Sequence, residues 1–258
     1  MCSEEIPLAG GNVNAGVVRL GDTVRRSMSA VSPTVHRLLK HLEDKGFDGA
    51  PRFLGIDDQE REILSFVEGE SGIPSYLWEG DGPLIAAAQL LRRYHEATLD
   101  FPNDGSFTWG IAYRDASRHE VICHNDFAPY NFIYRDQKPV AVIDFDLIGP
   151  GPRLRDIAYA TYWLTPLSFG SDDLRTWSEK DLQNGSRRLH LFCNTYGVDV
   201  DRALLEMVHE VLSFMGNTME MLPLLGPEVT SKLEADGHVT HWQKEAQAFL
   251  DNRHRLSI

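Results

Sequence analysis

Residues 121–146 read VICHNDFAPYNFIYRDQKPVAVIDFD and are the most informative part of the sequence. Short apolar runs, VIC, FIY and VAVID, surround a polar cluster that includes Asp126 and Asn131. A short strand anchors the backbone and the loop after it presents side chains, which is typical of functional loops. The polar turn after FIY reverses the chain. We therefore expect Asp144 to return beside Asp126 and Asn131.

Three oxygen-bearing side chains in one place suit a divalent cation and a proton acceptor. Mg²⁺ prefers hard oxygen ligands and usually takes one or two carboxylates together with substrate phosphates. Asn131 and Asp144 could supply the protein's share of such a site. Asp126 would then orient an attacking hydroxyl and accept its proton, as phosphoryl transfer requires.

Composition narrows the class of protein. The 258 residues, 42% of them hydrophobic, are typical of a soluble globular chain with a sizeable core. A net charge of −13 argues against general nucleic-acid binding, which needs clustered cations. No run approaches the roughly 18 apolar residues of a membrane span, and residues 1–10 lack the features of a signal peptide. With three scattered cysteines, we expect a cytoplasmic protein without nucleic-acid or membrane partners.

Periodicity predicts a small α+β unit followed by a helical part. Two hairpins, VVRL with TVRR and RFLGI with EILSFV, flank a helix that begins at Ser32 and ends at Gly46. Glycines and prolines over residues 68–83 place the boundary, so we expect lobes at 1–70 and 71–258. Helices are predicted at 84–99, 154–164, 181–195, 200–221 and 228–251.

The polar cluster also carries a resemblance. The pattern H-x-D-x4-N at 124–131, followed after a hairpin by IDFD at 143–146, resembles the signature of the aminoglycoside phosphotransferase and choline kinase-like family. LAGGNVNAGVVRL at 8–20 is similar to the family's nucleotide loop, and GPGPRLRDIAYA at 149–160 to its trailing segment. The resemblance implies a two-lobed, protein-kinase-like α+β fold, with an antiparallel sheet over a mostly helical lobe and nucleotide between them.

Carried over residue by residue, the resemblance implies roles in the catalytic and metal loops. Asp126 would be the catalytic base. Asn131 and Asp144 would bind Mg²⁺, and Asp146 would add a metal contact through water.

Further residues are implied to support catalysis or to bind nucleotide. His124 stands with Asp126 in the catalytic loop and, together with Asp156, would brace that loop. The residues implied to contact ATP or GTP are Gly10, Gly11 and Asn12 of the nucleotide loop, Arg25 of the strand, and Phe66, Val67 and Glu68 of the hinge.

One departure from the family pattern concerns the small lobe. Protein kinases place a strand lysine on the nucleotide phosphates and hold it with a helical glutamate. Here the strand reads TVRR, and by its position Arg25 takes the lysine's place, while His36 occupies the helical position expected for the glutamate. Either Arg25 binds phosphate without an ion-pair partner, or nucleotide affinity is reduced.

The expected function is Mg²⁺-dependent transfer of the γ-phosphate of a nucleoside triphosphate to a hydroxyl of a small molecule. The acceptor stays open among an aminoglycoside, an amino alcohol and a sugar. One alternative is a catalytically weak nucleotide-binding module with a regulatory or binding role, motivated by His36. Another is a metal-dependent hydrolase built on His124 and Asp126, although the sequence lacks the additional histidine ligands of such sites.

Overall fold

The computed structural model describes residues 4–8, 16–102, 105–165, 167–170 and 179–256. Gly10, Gly11 and Asn12 of the predicted nucleotide loop lie outside the described residues. The described chain combines antiparallel sheets with α-helices, which confirms the α+β prediction.

The N-terminal part is a five-stranded antiparallel sheet with strand order β1-β2-β3-β5-β4. Its strands are β1 (Ile6–Pro7), β2 (Val18–Leu20), β3 (Thr23–Ser27), β4 (Phe53–Ile56) and β5 (Arg61–Ser65). Both predicted hairpins are present, because β-branched and apolar runs meet at tight polar turns. The register of β3 against β5 sets Arg26 opposite Glu62, and this pair becomes important at the site.

Helix α1 (Ser32–Asp44) packs against this sheet. Its apolar residues recur at helical spacing and are buried: Val35, Leu38, Leu39 and Leu42. Pro33 suits the first turn because its missing N–H has no helical partner there. Gly46 follows the helix with φ +72°, a conformation that favours glycine and ends the helix as predicted.

Two small sheets frame the polar cluster. Strand β7 (Val121–Cys123) pairs with β10 (Gly149–Gly151), and β8 (Phe132–Arg135) lies between β6 (Glu70–Ser71) and β9 (Lys138–Val142). The chain enters the cluster from β7 and leaves it through β8, and β9 then returns beside β8. This path brings the segment after β9 back to the cluster, as the hairpin predicts.

The remaining elements are helices. They are α2 (Gly82–Thr98), α3 (Arg153–Leu164), α4 (Glu179–Tyr196), α5 (Arg202–Met215), α6 (Thr218–Ala235) and α7 (His238–Asn252). The helix predicted at 200–221 is wrong in extent, because Gly216 ends α5 and the Asn217 side chain caps α6 by accepting from the Met219 N–H. The helix predicted at 228–251 is likewise interrupted at Gly237, where φ is +77°.

Helix α2 crosses the centre of the molecule. Its predicted apolar face is fully buried and consists of Leu84, Ala87, Ala88, Leu91 and His95. No helix among the described residues is long and apolar enough to cross a membrane. The division into lobes at residue 70 stays a prediction.

Candidate active site

The loop between β7 and β8 presents Asp126, and its two carboxylate oxygens have different partners. Oδ1 accepts a hydrogen bond from the Tyr130 hydroxyl at 2.5 Å. Oδ2 accepts from the Asn131 amide Nδ2 at 2.8 Å, and the same amide donates to the Asp126 backbone carbonyl at 3.0 Å. A single turn over Pro129–Asn131 brings both partners back to the carboxylate.

The surroundings of Asp126 raise its pKa to about 6, above the ordinary 3.8. Burial is the main cause, because it disfavours the charged form, and the negative charge of Asp144 adds to it. Hydrogen bonds from Tyr130 and Asn131 oppose the shift. The carboxyl therefore lies near the range in which a general base works at neutral pH.

Asp156, at the start of α3, holds the backbone of the loop. Its two oxygens accept from the His124 N–H at 2.7 Å and the Asn125 N–H at 2.8 Å, and His95 hydrogen-bonds Oδ2 at 3.0 Å. Burial by itself would raise the pKa of Asp156, but the hydrogen bonds and charges of the two histidines outweigh it and lower that pKa. This geometry supports the bracing role implied for Asp156 and adds His95 to it.

His124 has no surface through which it could touch a substrate. Its side chain is fully buried, and its ring packs edge-on against Phe145 with centroids 4.8 Å apart. Burial lowers the pKa of His124 to about 4, and its Nδ1 accepts the Asp126 N–H at 3.3 Å. We therefore correct its placement among the catalytic residues, because a buried, neutral imidazole can only support the loop.

The segment after β9 brings Asp144 to the same place. The Ile143 N–H donates to the Asn131 carbonyl at 2.9 Å, so the next residue, Asp144, follows directly beside Asn131. Asp144 has φ +66°, which an aspartate tolerates better than a branched residue would. Partial burial and then the charge of Asp146 raise the pKa of Asp144, and Arg26 opposes the shift.

Arg26 is the cation that faces these carboxylates. Its Nη2 lies 2.6 Å from Asp146 Oδ1, and its Nη1 lies 3.4 Å from Asp144 Oδ1. Its Nε donates to Glu62 Oε1 from the opposite side. Burial by itself would lower the pKa of Arg26, but the three carboxylates outweigh burial and raise it.

The prediction that Arg25 takes this place is wrong by one residue. Successive side chains of a strand point to opposite faces. Arg25 donates to Thr23 Oγ1 at 2.6 Å, and its Nε lies 3.6 Å from Asp57 Oδ2. It therefore belongs to the other face of β3, while Arg26 shares its face with Val24 and points toward Asp144.

An ion-pair partner for the strand arginine is also present, on a strand instead of the helix. Glu62 of β5 is fully buried and pairs with Arg26. Its second oxygen contacts His36 Nε2 at 2.5 Å, and the His36 ring stacks on Phe53 with centroids 3.7 Å apart. His36 thus holds the glutamate from the helical position where the family pattern has a glutamate.

The predicted hinge uses some of its backbone groups internally. The Phe66 N–H donates to the Asp22 carbonyl at 2.8 Å, and the Glu68 carbonyl accepts from Arg135 Nε at 3.0 Å. The Phe66 N–H is therefore excluded as a partner of an adenine, whereas the Glu68 carbonyl keeps a second lone pair. Contact of Phe66, Val67 and Glu68 with nucleotide through other groups stays a prediction.

The described residues contain no cluster of three or more His, Cys, Asp or Glu side chains able to hold a metal ion. The carboxylates of Asp144 and Asp146 both contact Arg26, and the Asn131 carbonyl binds the backbone just before Asp144. The sequence pattern did not indicate three further residues of the site: Glu62, Tyr130 and His95. Strand alternation was the available signal for Glu62, because it shares a face of β5 with buried Leu64.

Comparisons with known proteins indicate the family of the chain. The sequence model of the phosphotransferase enzyme family matches residues 86–191. The chain is 31% identical over 219 residues to the trifolitoxin immunity protein of Rhizobium leguminosarum bv. trifolii, a match that covers 81% of this chain and 82% of that protein.

Solved structures share the fold at low identity. The gentamicin complex of APH(2")-IIa matches with a TM-score of 0.63 at 15% identity, covering 95% of this chain and 93% of that one. Choline kinase LicA from Streptococcus pneumoniae matches with a TM-score of 0.59 at 14% identity, covering 96% and 93%. These matches confirm the two-lobed kinase-like fold, and with the sequence matches they lead to one conclusion: the chain belongs to the phosphotransferase enzyme family.

Proposed function

We propose that this chain transfers the γ-phosphate of ATP or GTP to a hydroxyl of a small molecule, with Mg²⁺ as cofactor and Asp126 as base. The observation that carries the proposal is the convergence of Asp126, Asn131 and Asp144. Asn131 hydrogen-bonds the carboxylate of Asp126 and, through its carbonyl, the backbone beside Asp144. The charge of Asp144 in turn raises the pKa of Asp126.

Asp126 suits the role of base. Its carboxylate lies on a rigid loop, because Asp156 accepts the backbone N–H groups of His124 and Asn125. Phosphoryl transfer relies mainly on positioning and electrostatics. The protein must therefore supply a base that orients the acceptor hydroxyl. A pKa of about 6 leaves most of the carboxyl ionised at neutral pH.

The oxygen donors fit a divalent cation. Asp144 and Asp146 already attract a cation, because the guanidinium of Arg26 lies against both. With the amide oxygen of Asn131 they form the hard-oxygen set that Mg²⁺ prefers. When bound, Mg²⁺ would neutralise charge on the β and γ phosphates. Asn131, Asp144 and Asp146 would hold it.

Arg26 is the residue that we assign to the nucleotide phosphates, in place of Arg25. An arginine presents a planar fork of donors that matches phosphate oxygens. Glu62 holds its Nε, which leaves the two Nη groups directed toward Asp144 and Asp146. A divalent cation on those carboxylates would release the Nη groups for phosphate.

The acceptor class remains open among an aminoglycoside, an amino alcohol and a sugar. The relatives support a small hydroxylated molecule: one solved neighbour is a gentamicin complex and another is a choline kinase. The surplus of acidic residues suits a cationic acceptor, and an aminoglycoside and an amino alcohol both meet this condition. We further propose that the protein acts in the cytoplasm, where nucleoside triphosphates are available.

A second candidate function is immunity to a toxin, because the 31% identical relative is a trifolitoxin immunity protein. Immunity is compatible with phosphoryl transfer, and it is also compatible with a catalytically weak module that protects by binding. His36 occupies the helical position at which the family pattern has a glutamate, which favours the weak module. The ion pair of Arg26 with Glu62 favours an active enzyme.

Two measurements test these proposals. Thermal unfolding with Mg²⁺ and either ATP or GTP should show stabilisation, and a screen of hydroxylated acceptors should show phosphate transfer that Asp126→Asn loses. Stabilisation without transfer to any acceptor would favour the weak module.

Expression in a trifolitoxin-sensitive strain separates the immunity alternatives. Protection by the wild type but not by Asp126→Asn links immunity to transfer. Protection by both proteins favours binding, and protection by neither removes immunity as a candidate.

A further inference from the structure

The Tyr130 hydroxyl lies against the carboxylate of the proposed base. It donates to Asp126 Oδ1 at 2.5 Å, while Asn131 occupies the other carboxylate oxygen. Both oxygens of Asp126 therefore already have a donor from the protein itself. Each carboxylate oxygen can accept two hydrogen bonds, so a hydroxyl that approaches Oδ1 of Asp126 does so beside the Tyr130 hydroxyl.

Tyr130 is the donor that an acceptor could displace. Asn131 also donates to the Asp126 carbonyl and is buried, so it is tied to the loop by two bonds. The ring of Tyr130 is only partly buried and packs edge-on against Trp163 with centroids 5.3 Å apart. Its hydroxyl lies 2.9 Å from the Tyr159 hydroxyl, which gives it a second partner when it leaves Asp126.

A phosphotransferase must also keep water from taking the place of its acceptor. Water next to an ionised base and a bound triphosphate would be activated, and the nucleotide would be hydrolysed without product. A phenol in contact with the base opposes this, because it takes one lone pair of Oδ1 and occupies the space beside it.

We propose that Tyr130 caps the catalytic base: its hydroxyl holds the position of the acceptor hydroxyl until an acceptor displaces it, and so keeps Asp126 from activating water. The inference rests on the proposed function and makes Tyr130 a positioning residue that controls access to the base. Only an acceptor that binds well enough to replace the Tyr130–Asp126 hydrogen bond would be phosphorylated.

The test measures hydrolysis of ATP with Mg²⁺ in the absence of any acceptor, so the acceptor need not be known. Tyr130→Phe keeps the ring and removes the hydroxyl. We expect hydrolysis to rise about tenfold, the effect of one lost hydrogen bond. Tyr130→Leu should also raise hydrolysis. This second variant shows that the effect does not depend on how the ring of Tyr130→Phe packs.

Tyr134→Phe is the matched control. The Tyr134 hydroxyl donates to the Pro129 carbonyl at 3.0 Å, so its loss loosens the same turn without touching Asp126. We expect it to leave hydrolysis near the wild-type rate. A rise in Tyr134→Phe equal to that in Tyr130→Phe would overturn the cap, because loosening of the turn would then explain both.

The base variant separates this inference from the proposed function. Adding Asp126→Asn to Tyr130→Phe should remove the gain in hydrolysis. If Asp126→Asn lowers the wild-type rate while Tyr130→Phe changes nothing, the cap alone is overturned. If Asp126→Asn leaves the hydrolysis of both backgrounds unchanged, the cap is overturned, whereas the proposed function fails only if Asp126→Asn retains transfer in the acceptor screen. Mass spectrometry showing phosphate on Tyr130 after incubation with Mg²⁺ and ATP would also overturn the cap, since the phenol would then be an acceptor.

Discussion

Arg26 and Glu62 face each other across strands β3 and β5, and their side chains form an ion pair inside the N-terminal sheet. Glu62 is fully buried, and His36 of α1 contacts its second oxygen. A buried carboxylate needs a charged partner and further hydrogen bonds to offset its desolvation. The arrangement therefore holds the guanidinium of Arg26 on the side of Asp144 and links that guanidinium to helix α1.

Replacing Glu62 should weaken the binding of nucleotide phosphates. Glu62→Gln keeps the size of the side chain and removes the charge that holds Arg26. We expect the Kd for ADP with Mg²⁺ to rise about tenfold, the equivalent of one charge-assisted hydrogen bond. Adenosine, which has no phosphate, should bind as it does to the wild type. Isothermal titration calorimetry measures both ligands.

Arg25→Gln is the control for this experiment, because Arg25 lies on the opposite face of β3 with Asp57 as its partner. We expect its ADP affinity to match the wild type. A loss of ADP affinity in Arg25→Gln with none in Glu62→Gln would restore the original assignment of Arg25. An equal loss for adenosine and ADP in Glu62→Gln would mean that the glutamate only maintains the sheet.

Asp126→Asn should abolish phosphate transfer and spare nucleotide binding. The amide of the variant cannot accept the proton of the acceptor hydroxyl. Loss of the general base should lower the rate of transfer by at least about a hundredfold to ten-thousandfold. The amide oxygen of the new Asn can still accept from Asn131, and its NH2 group can donate to the Tyr130 hydroxyl, so the loop should keep its shape. Transfer is followed with γ-labelled ATP, and binding by calorimetry. Near-normal turnover would remove Asp126 from the role of base.

The same substitution should stabilise the protein in a pH-dependent way. The pKa of Asp126 is about 6 in the folded chain and 3.8 as an ordinary carboxyl, so between these values the folded state binds the proton more tightly. The free energy of unfolding of the wild type therefore falls as pH rises through this window. At pH 7.5 we expect Asp126→Asn to be more stable by up to about 3 kcal/mol, and the difference should shrink toward pH 4.

Urea unfolding of both proteins at pH 4.5 and 7.5 measures this difference. A gap of the same size at the two pH values would show that the pKa of Asp126 is not raised by folding.

Asp156 is the position where substitution should damage the fold itself. Its carboxylate is fully buried and accepts from two loop N–H groups and His95. Asp156→Ala leaves these donors buried without an acceptor, and we expect it to lower the free energy of unfolding by about 3 to 5 kcal/mol. Chemical unfolding is the measurement. Asp100→Asn, which breaks an exposed ion pair with Lys45, should change the free energy of unfolding far less. An equal effect of Asp100→Asn and Asp156→Ala would contradict the bracing role of Asp156.

The loop and the elements around it could be predicted from local sequence patterns. Spacing and apolar runs are local properties, so His124, Asp126 and Asn131 could be placed on a loop after a strand, and Asp144 on the return of a hairpin. Helix α1 could be predicted in the same way, from the helical spacing of its apolar residues and from Gly46 at its end. The helices after residue 200 were harder, because their breaks depend on caps at Asn217 and Gly237 within continuous helical patterns.

The pairing of the charged groups, in contrast, depends on how distant segments pack. Arg25 and Arg26 are neighbours with the same chemistry, and the packing of β3 against its neighbours selects the face that turns to Asp144. The partnership of Arg26 with Glu62 depends on the register of two strands that are 36 residues apart in the chain. Likewise, the bond from Tyr130 to Asp126 depends on the turn at Pro129 and on the packing of Tyr130 against Trp163 of α3. Contacts between distant segments are set by packing, which no local pattern encodes.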